Sequence, residues 1–124
     1  MNILIVDDEA PIRKLLSACF ARSGFVVETA PDGADAIALC ESNKFDVVVS
    51  DVMMPRLNGH QLAQWVAVNS PSTITVLMSG YDADCKRCAY SPRCTLIAKP
   101  FLPQHMVDAV QSMLAQRATS DVLT

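Results

Sequence analysis

Five polar side chains that together can bind a cation and a phosphate follow four apolar runs of the chain. They are Asp7 and Asp8, Asp51, Ser79 and Lys99. Three close carboxylates repel one another, and a hard cation such as Mg²⁺, which prefers oxygen ligands, relieves that repulsion. A bound cation attracts phosphate, whose remaining oxygens Lys99 and Ser79 can hold. Asp51 can then attack phosphorus, because carboxylates act as nucleophiles that form aspartyl phosphates.

Each of these residues also has a simpler interpretation when it is taken alone. An aspartate at the end of a strand is commonly a turn former or a helix cap. By the same argument Lys99 alone is a solvated charge, and Ser79 followed by Gly80 is a turn. Chance is a poor explanation for five such residues placed after four apolar runs, so the joint pattern favours a shared site.

The elements that must position these residues begin with the run of three valines that ends at Asp51. Short β-branched runs are typical of central parallel strands buried on both faces. The pattern predicts five strands, at residues 2–6, 25–29, 46–51, 73–78 and 95–98. Apolar residues at helical spacing predict four helices, from Pro11 to a stop at Gly24, and at residues 34–42, 60–69 and 106–114. Alternating strands and helices specify an α/β fold with a parallel sheet and helices on both faces, so the polar strand ends meet at one edge.

Length and composition limit the class of protein. The 124 residues suit one domain, predicted at residues 1–118 with a disordered tail at 119–124, and about half of them are apolar. A net charge of −3 gives no basic surface for direct nucleic-acid binding. No apolar run approaches the length of a membrane span, and the first residues lack the features of a signal peptide. We therefore expect a cytoplasmic protein without membrane contact.

Over residues 2–117 the chain resembles the receiver domain of two-component response regulators. The residues that carry the resemblance are residues 5–9, 51–55, 58–59, 78–81 and 99–101, which read IVDDE, DVMMP, NG, MSGY and KPF. The resemblance implies a flavodoxin-like fold whose five parallel strands have the order 2-1-3-4-5. It also implies a partner, because a histidine kinase or a phosphotransfer protein would donate a phosphoryl group to Asp51 in the presence of Mg²⁺.

The resemblance assigns a role to each polar residue. Asp8 and Asp51 would bind Mg²⁺ directly, Asp7 would bind it through water, and the Met53 backbone carbonyl would be a further ligand. Lys99 would pair with the phosphoryl group, and Ser79 would hydrogen-bond it. Phosphorylation would change contacts with a downstream protein through the face formed by residues 81–114, in a monomer or weak dimer. One departure lies at Leu96, where receivers commonly carry an aromatic residue that changes rotamer on activation.

A second departure is the segment between the fourth and fifth strands, which contains Cys85, Cys88 and Cys94 in a C-x2-C-x5-C pattern. Pro92 would break the fourth helix that receivers form here, so this helix is expected to be shortened or irregular. The cysteines suit Zn²⁺ or an iron–sulfur cluster, although a fourth ligand would have to come from His105, from Asp84 or from another chain. The alternatives are three reduced thiols, or a redox-sensitive pair whose thiol pKa values the neighbouring basic residues lower.

Two other functions compete with the signalling interpretation. An aspartate-nucleophile phosphatase of haloacid-dehalogenase type also places an acid, Mg²⁺ and a lysine at strand ends. Such enzymes carry Asp-x-Asp on the nucleophile strand, whereas Val52 and Met53 follow Asp51 here. A scaffold that is never phosphorylated would not need the full polar set. We therefore expect no turnover of an external substrate, and only phosphorylation and dephosphorylation of Asp51 itself.

Overall fold

Five strands and four helices make up the described part of the chain. The computed structural model describes residues 1–52, 57–79, 94–98 and 102–123. Its elements are β1 (Asn2–Val6), α1 (Ala10–Arg22), β2 (Val26–Ala30), α2 (Gly33–Ser42), β3 (Val47–Asp51), α3 (Gly59–Asn69), β4 (Ile74–Ser79), β5 (Cys94–Ala98) and α4 (Pro103–Leu123).

The five strands form one parallel sheet with the order β2-β1-β3-β4-β5. This order confirms the flavodoxin-like fold that the resemblance implies. Strand β3 is central, and every residue from Val47 to Asp51 is buried. Because all strands run in the same direction, their last residues lie at one edge, called here the carboxyl edge.

Alternate residues of the strands build two hydrophobic cores, one on each face of the sheet. On one face Ile3, Val47 and Val49 pack with residues of α1 and α4. On the other face Leu4 and Val48 pack with residues of α2 and α3. This arrangement follows from the period of two in a strand, which sends neighbouring valines to opposite faces. The prediction of helices on both faces is confirmed.

Helix α1 ends close to Gly24, as the sequence predicts. Gly24 has a φ of 94°, a left-handed conformation that glycine adopts without a Cβ penalty. The Phe25 N–H donates to the Phe20 carbonyl at 3.1 Å, which satisfies a carbonyl at the helix end. The two phenylalanine rings then meet edge to face, with centroids 5.3 Å apart. Helix α1 therefore stops here, and β2 begins in register beside β1.

The C-terminal helix is longer than the sequence predicts. The apolar pattern predicts a helix at residues 106–114 and a disordered tail at 119–124, whereas α4 runs from Pro103 to Leu123. The domain bounds and the disordered tail stay predictions. Leu114 is the last residue of α4 in the described core. The sequence that follows it, Ala-Gln-Arg-Ala, has high helix propensity, and an α-helix makes its backbone hydrogen bonds internally.

The shortened or irregular helix predicted between β4 and β5 falls at residues 80–93, outside the described residues. Among the helices that the structure describes, none has both the length and the apolar character needed to cross a membrane.

Candidate functional site

Three aspartates meet at the carboxyl edge of the sheet. β1 and β3 are neighbouring parallel strands whose register pairs Val6 with Ser50. The acids that follow these two residues therefore leave the sheet side by side. Oxygens of Asp7, Asp8 and Asp51 lie within 4.8 Å of one another. The structure thus brings together the three carboxylates that the sequence places at strand ends, and their roles as ligands stay a prediction.

The three carboxylates differ in their exposure to solvent. Asp7 is fully buried, Asp51 is 6% exposed, and Asp8 is exposed. Burying a charge is costly unless it is paired or binds a cation. The Glu9 main-chain N–H donates to Oδ1 of Asp7 at 2.8 Å and offsets part of that cost. The arrangement therefore has two acids set into the edge and one facing the solvent from which a cation would arrive.

Arg13 is a residue of this site that sequence reasoning missed. Its Nη1 donates to the main-chain carbonyl of Asp7 at 2.5 Å, while the Asp7 N–H donates to the Ala30 carbonyl at 3.2 Å. Arg13 therefore holds the backbone that carries the most buried acid. No local sequence pattern predicts this contact, because it depends on the direction in which α1 follows β1.

The main chain at Asp51 is held by the neighbouring strand and by the start of α3. The Val52 N–H donates to the Met78 carbonyl at 2.9 Å, and the Gly59 N–H donates to the Val52 carbonyl at 3.0 Å. A Cβ on Gly59 would lie 2.5 Å from the Asp51 carbonyl oxygen, closer than real Cβ atoms approach. Gly59 belongs to the motifs of the resemblance, but its steric role emerges only from this packing.

A capping box fixes the first turn of α3. The Asn58 side chain accepts from the Gln61 N–H at 2.8 Å, and the Gln61 side chain accepts from the Asn58 N–H at 2.9 Å. Two donors that the helix itself leaves unpaired are satisfied in this way. The chain is therefore anchored at the residues with which it enters α3.

Comparison with known proteins identifies the family of this chain. The family model for the response regulator receiver domain matches residues 3–111, which is most of the chain. The chain belongs to this family.

Relatives of known name support the same assignment. The probable transcriptional regulator ycf27 of Guillardia theta is 35% identical over 114 residues, covering 91% of this chain and 45% of that protein. This receiver chain spans about half the length of the curated relatives it matches. Among solved structures, the chemotaxis response regulator CheY4 of Vibrio cholerae has a TM-score of 0.81 at 30% identity, covering 90% of this chain and 97% of that one. A receiver protein from Sinorhizobium medicae WSM419 has a TM-score of 0.87 at 28% identity, covering 94% and 96%.

The acidic cluster of this receiver domain fits a magnesium ion by the chemistry of its donors. Three carboxylates offer hard oxygen ligands, and their shared negative charge disfavours an arrangement without a cation. Mg²⁺ in proteins is typically held by one or two carboxylates and completes its shell with waters. The exposed carboxylate of Asp8 leaves room for those waters. Receivers generally bind Mg²⁺ through acidic residues, and this chain has a matching cluster.

The remaining predicted site residues are described only in part. Ser79 is the last residue of β4, one position beyond the pair formed by Asp51 and Met78, so its backbone reaches the same edge. Its partner on β5 is Ala98, which Lys99 follows in the sequence. Lys99 and Met53 lie outside the described residues, and their predicted roles therefore stay predictions.

The five cysteines lie in different parts of the chain, three near β5 and two in helices α1 and α2. Cys85 and Cys88 lie outside the described residues. The Cys94 backbone begins β5 and pairs with Thr75, at the edge opposite the aspartates. Cys19 and Cys40 are half-buried against the two cores. Burial raises the pKa of Cys40 to about 11, which keeps it a neutral thiol at physiological pH.

Proposed function

We propose that Asp51 accepts a phosphoryl group from a phosphohistidine of a histidine kinase or phosphotransfer protein, and that the phosphorylated domain then changes its protein contacts. The observation that carries this proposal is the meeting of Asp7, Asp8 and Asp51 within 4.8 Å at the carboxyl edge of a receiver fold. Membership of the receiver family supports it, because phosphoryl acceptance is a general property of that family.

In the proposed reaction a carboxylate oxygen of Asp51 attacks phosphorus and forms the P–O bond of an acyl phosphate. The P–N bond of the phosphohistidine breaks, and the imidazole nitrogen leaves with the electron pair and takes up a proton. Mg²⁺, held by Asp8 and Asp51, by Asp7 through water and by the Met53 carbonyl, would neutralise charge on the phosphoryl oxygens. The placement of Asp51 matters most, because phosphoryl transfer depends on alignment and electrostatics more than on covalent help from the protein.

Other residues of the chain would orient and stabilise the reacting groups. Glu9 and Arg13 hold Asp7 through its carboxylate and its main-chain carbonyl, so they would keep the buried acid directed at the cation. The proposal gives Lys99 the role of pairing with the phosphoryl group, and Ser79 the role of donating a hydrogen bond to it.

The output would be a change of protein contacts at the face formed by residues 81–114. Within this range Leu102, the residue before α4, is 63% exposed. We propose a cytoplasmic monomer or weak dimer that turns over no external substrate.

The test is the intact mass of the protein after incubation with acetyl phosphate and Mg²⁺. Wild type should gain one phosphoryl group, and Asp51→Asn should gain none. Asp46→Asn is a matched control, because Asp46 precedes the same strand at its other end and its carboxylate accepts from the Asn2 main-chain N–H. This control should gain the same mass as wild type. Equal labelling of Asp51→Asn, or multiple turnover of external phosphomonoesters by wild type, would contradict the proposal.

The cysteine segment carries a separate prediction about cofactors. Zn²⁺ or an iron–sulfur cluster at Cys85, Cys88 and Cys94 would give stoichiometric metal in protein purified without chelator. Metal-free protein with three titratable thiols at these positions would instead support reduced cysteines.

A further inference from the structure

A contact between Gly33 and Leu57 connects the start of α2 to the segment that returns from Asp51. A Cβ on Gly33 would lie 2.7 Å from Cδ2, 2.8 Å from Cβ and 2.9 Å from the main-chain oxygen of Leu57. Ordinary contacts of a Cβ begin at 3.4 Å. Gly33 is buried, so an added methyl group has no open space to enter. Only glycine allows the two segments to approach this closely.

The α2 side of this contact is firmly held. The Asp32 side chain caps the helix by accepting from the Asp35 N–H at 2.8 Å, and the Ala36 N–H donates to the Asp32 carbonyl at 3.1 Å. Ala36 is itself fully buried in the core beneath α2 and α3. A side chain at position 33 would therefore displace Leu57 more readily than it would displace the first turn of α2.

The Leu57 side of the contact leads directly to the phosphoacceptor. Leu57 is half-buried against the same core and precedes the capping box of Asn58. Two residues later, Gly59 hydrogen-bonds the Val52 carbonyl and packs against the Asp51 carbonyl. A displacement of Leu57 is therefore passed through a short, hydrogen-bonded segment to the main chain at Asp51.

We propose that Gly33 is a positioning residue for the reaction at Asp51, acting through Leu57 without touching the reacting atoms. The inference rests on the proposed function for its chemistry, and on the packing alone for its structural content. With alanine at position 33, the nearest Leu57 atom would have to retreat by about 0.7 Å to reach ordinary contact. Since a misplacement of about 1 Å can slow a reaction about 100-fold, we expect phosphorylation to slow about tenfold.

The experiment compares Gly33→Ala with Gly24→Ala in the full chain. Gly24 has a left-handed φ, and no atom beyond its two chain neighbours lies within 4 Å of the position that an added methyl group would take, so its substitution strains the backbone without touching the site. Both variants should lose stability. With acetyl phosphate and saturating Mg²⁺, at a temperature where both are folded, only Gly33→Ala should phosphorylate more slowly. In NMR spectra recorded without phosphodonor, only Gly33→Ala should shift the amide signals of Val52 and Gly59.

A second variant, Leu57→Ala, makes the coupling measurable. It removes Cδ2, the atom nearest to the added methyl group, so the double variant should be slowed less than the product of the two single effects. If Gly33→Ala does not fold, Leu57→Ala alone should still slow phosphorylation relative to Gly24→Ala, because it loosens the same segment.

Equal rates for Gly33→Ala and Gly24→Ala, or unchanged amide signals at Val52 and Gly59, would overturn the inference. Wild type that accepts no phosphoryl group would instead overturn the proposed function. The amide shifts would still report on the coupling in that case.

Discussion

Neutralising Asp8 is expected to stabilise the protein when Mg²⁺ is absent. Oxygens of Asp8 lie within 4.8 Å of those of Asp7 and Asp51. Two unit charges at that distance repel by about 1 kcal/mol in a water-like dielectric and by about 3 kcal/mol at an effective dielectric of 20. Because Asp8 is exposed, the lower part of this range applies, and we expect Asp8→Asn to gain about 1–2 kcal/mol.

The assay is thermal unfolding of wild type and Asp8→Asn with chelator and with saturating Mg²⁺. For a domain of this size, 1 kcal/mol shifts the melting temperature by about 3–5 °C. With chelator, the variant should melt above wild type. With Mg²⁺ at about 100 times its dissociation constant, wild type should gain about 2.7 kcal/mol, and the variant should gain much less because it lacks one carboxylate ligand.

Glu9→Gln is the matched control, since it removes a neighbouring exposed carboxylate that does not belong to the cluster. It should respond to Mg²⁺ as wild type does. The reasoning would be refuted if Asp8→Asn melted at or below wild type in chelator, or if both proteins gained the same stability from Mg²⁺.

Two further substitutions test other features of the structure. Gly59→Ala places a methyl group 2.5 Å from the Asp51 carbonyl oxygen, and we expect a loss of about 1–3 kcal/mol in urea unfolding together with slower phosphorylation; wild-type stability would contradict that packing. Burial raises the pKa of Cys40 to about 11 in the folded state, above its ordinary 9.0. At a pH where the thiol ionises in the unfolded chain but stays protonated in the folded one, this difference lowers the stability of the folded state. Stability should therefore be unaffected below pH 9 and fall between about pH 9 and pH 11, by about 1 kcal/mol once solvent screening of this half-buried thiol is allowed for. Cys40→Ala should remove that part of the pH dependence, and identical profiles for variant and wild type would refute the assignment.

The strands and the gathering of the acids could be predicted from the sequence because each depends on local rules. The three valines before Ser50 form a strand since β-branched residues fit a surface buried on both sides. Asp7 follows β1 and Asp51 ends the neighbouring strand β3, and parallel strands end at the same edge. The pairing order of the strands came from the resemblance, because an apolar run identifies a strand but not the strands with which it pairs.

The end of the chain shows the limit of the same rules. Apolar spacing stops at Leu114, and the polar sequence from Arg117 onward predicts a frayed end, whereas α4 continues to Leu123. Helical backbone bonds are satisfied within the helix, so their continuation leaves no mark in the hydrophobic pattern.

The sequence by itself determined the set of chemical groups and the edge of the sheet at which they lie. Residue types are read directly from the sequence, and the groups follow apolar runs that become parallel strands ending at one edge. Only the tertiary structure decided how these groups are held. The Arg13 contact with the Asp7 carbonyl and the fit of Leu57 against Gly33 join residues from different elements. Such contacts depend on distances of a few ångströms between packed surfaces, and no spacing along a single segment encodes those distances.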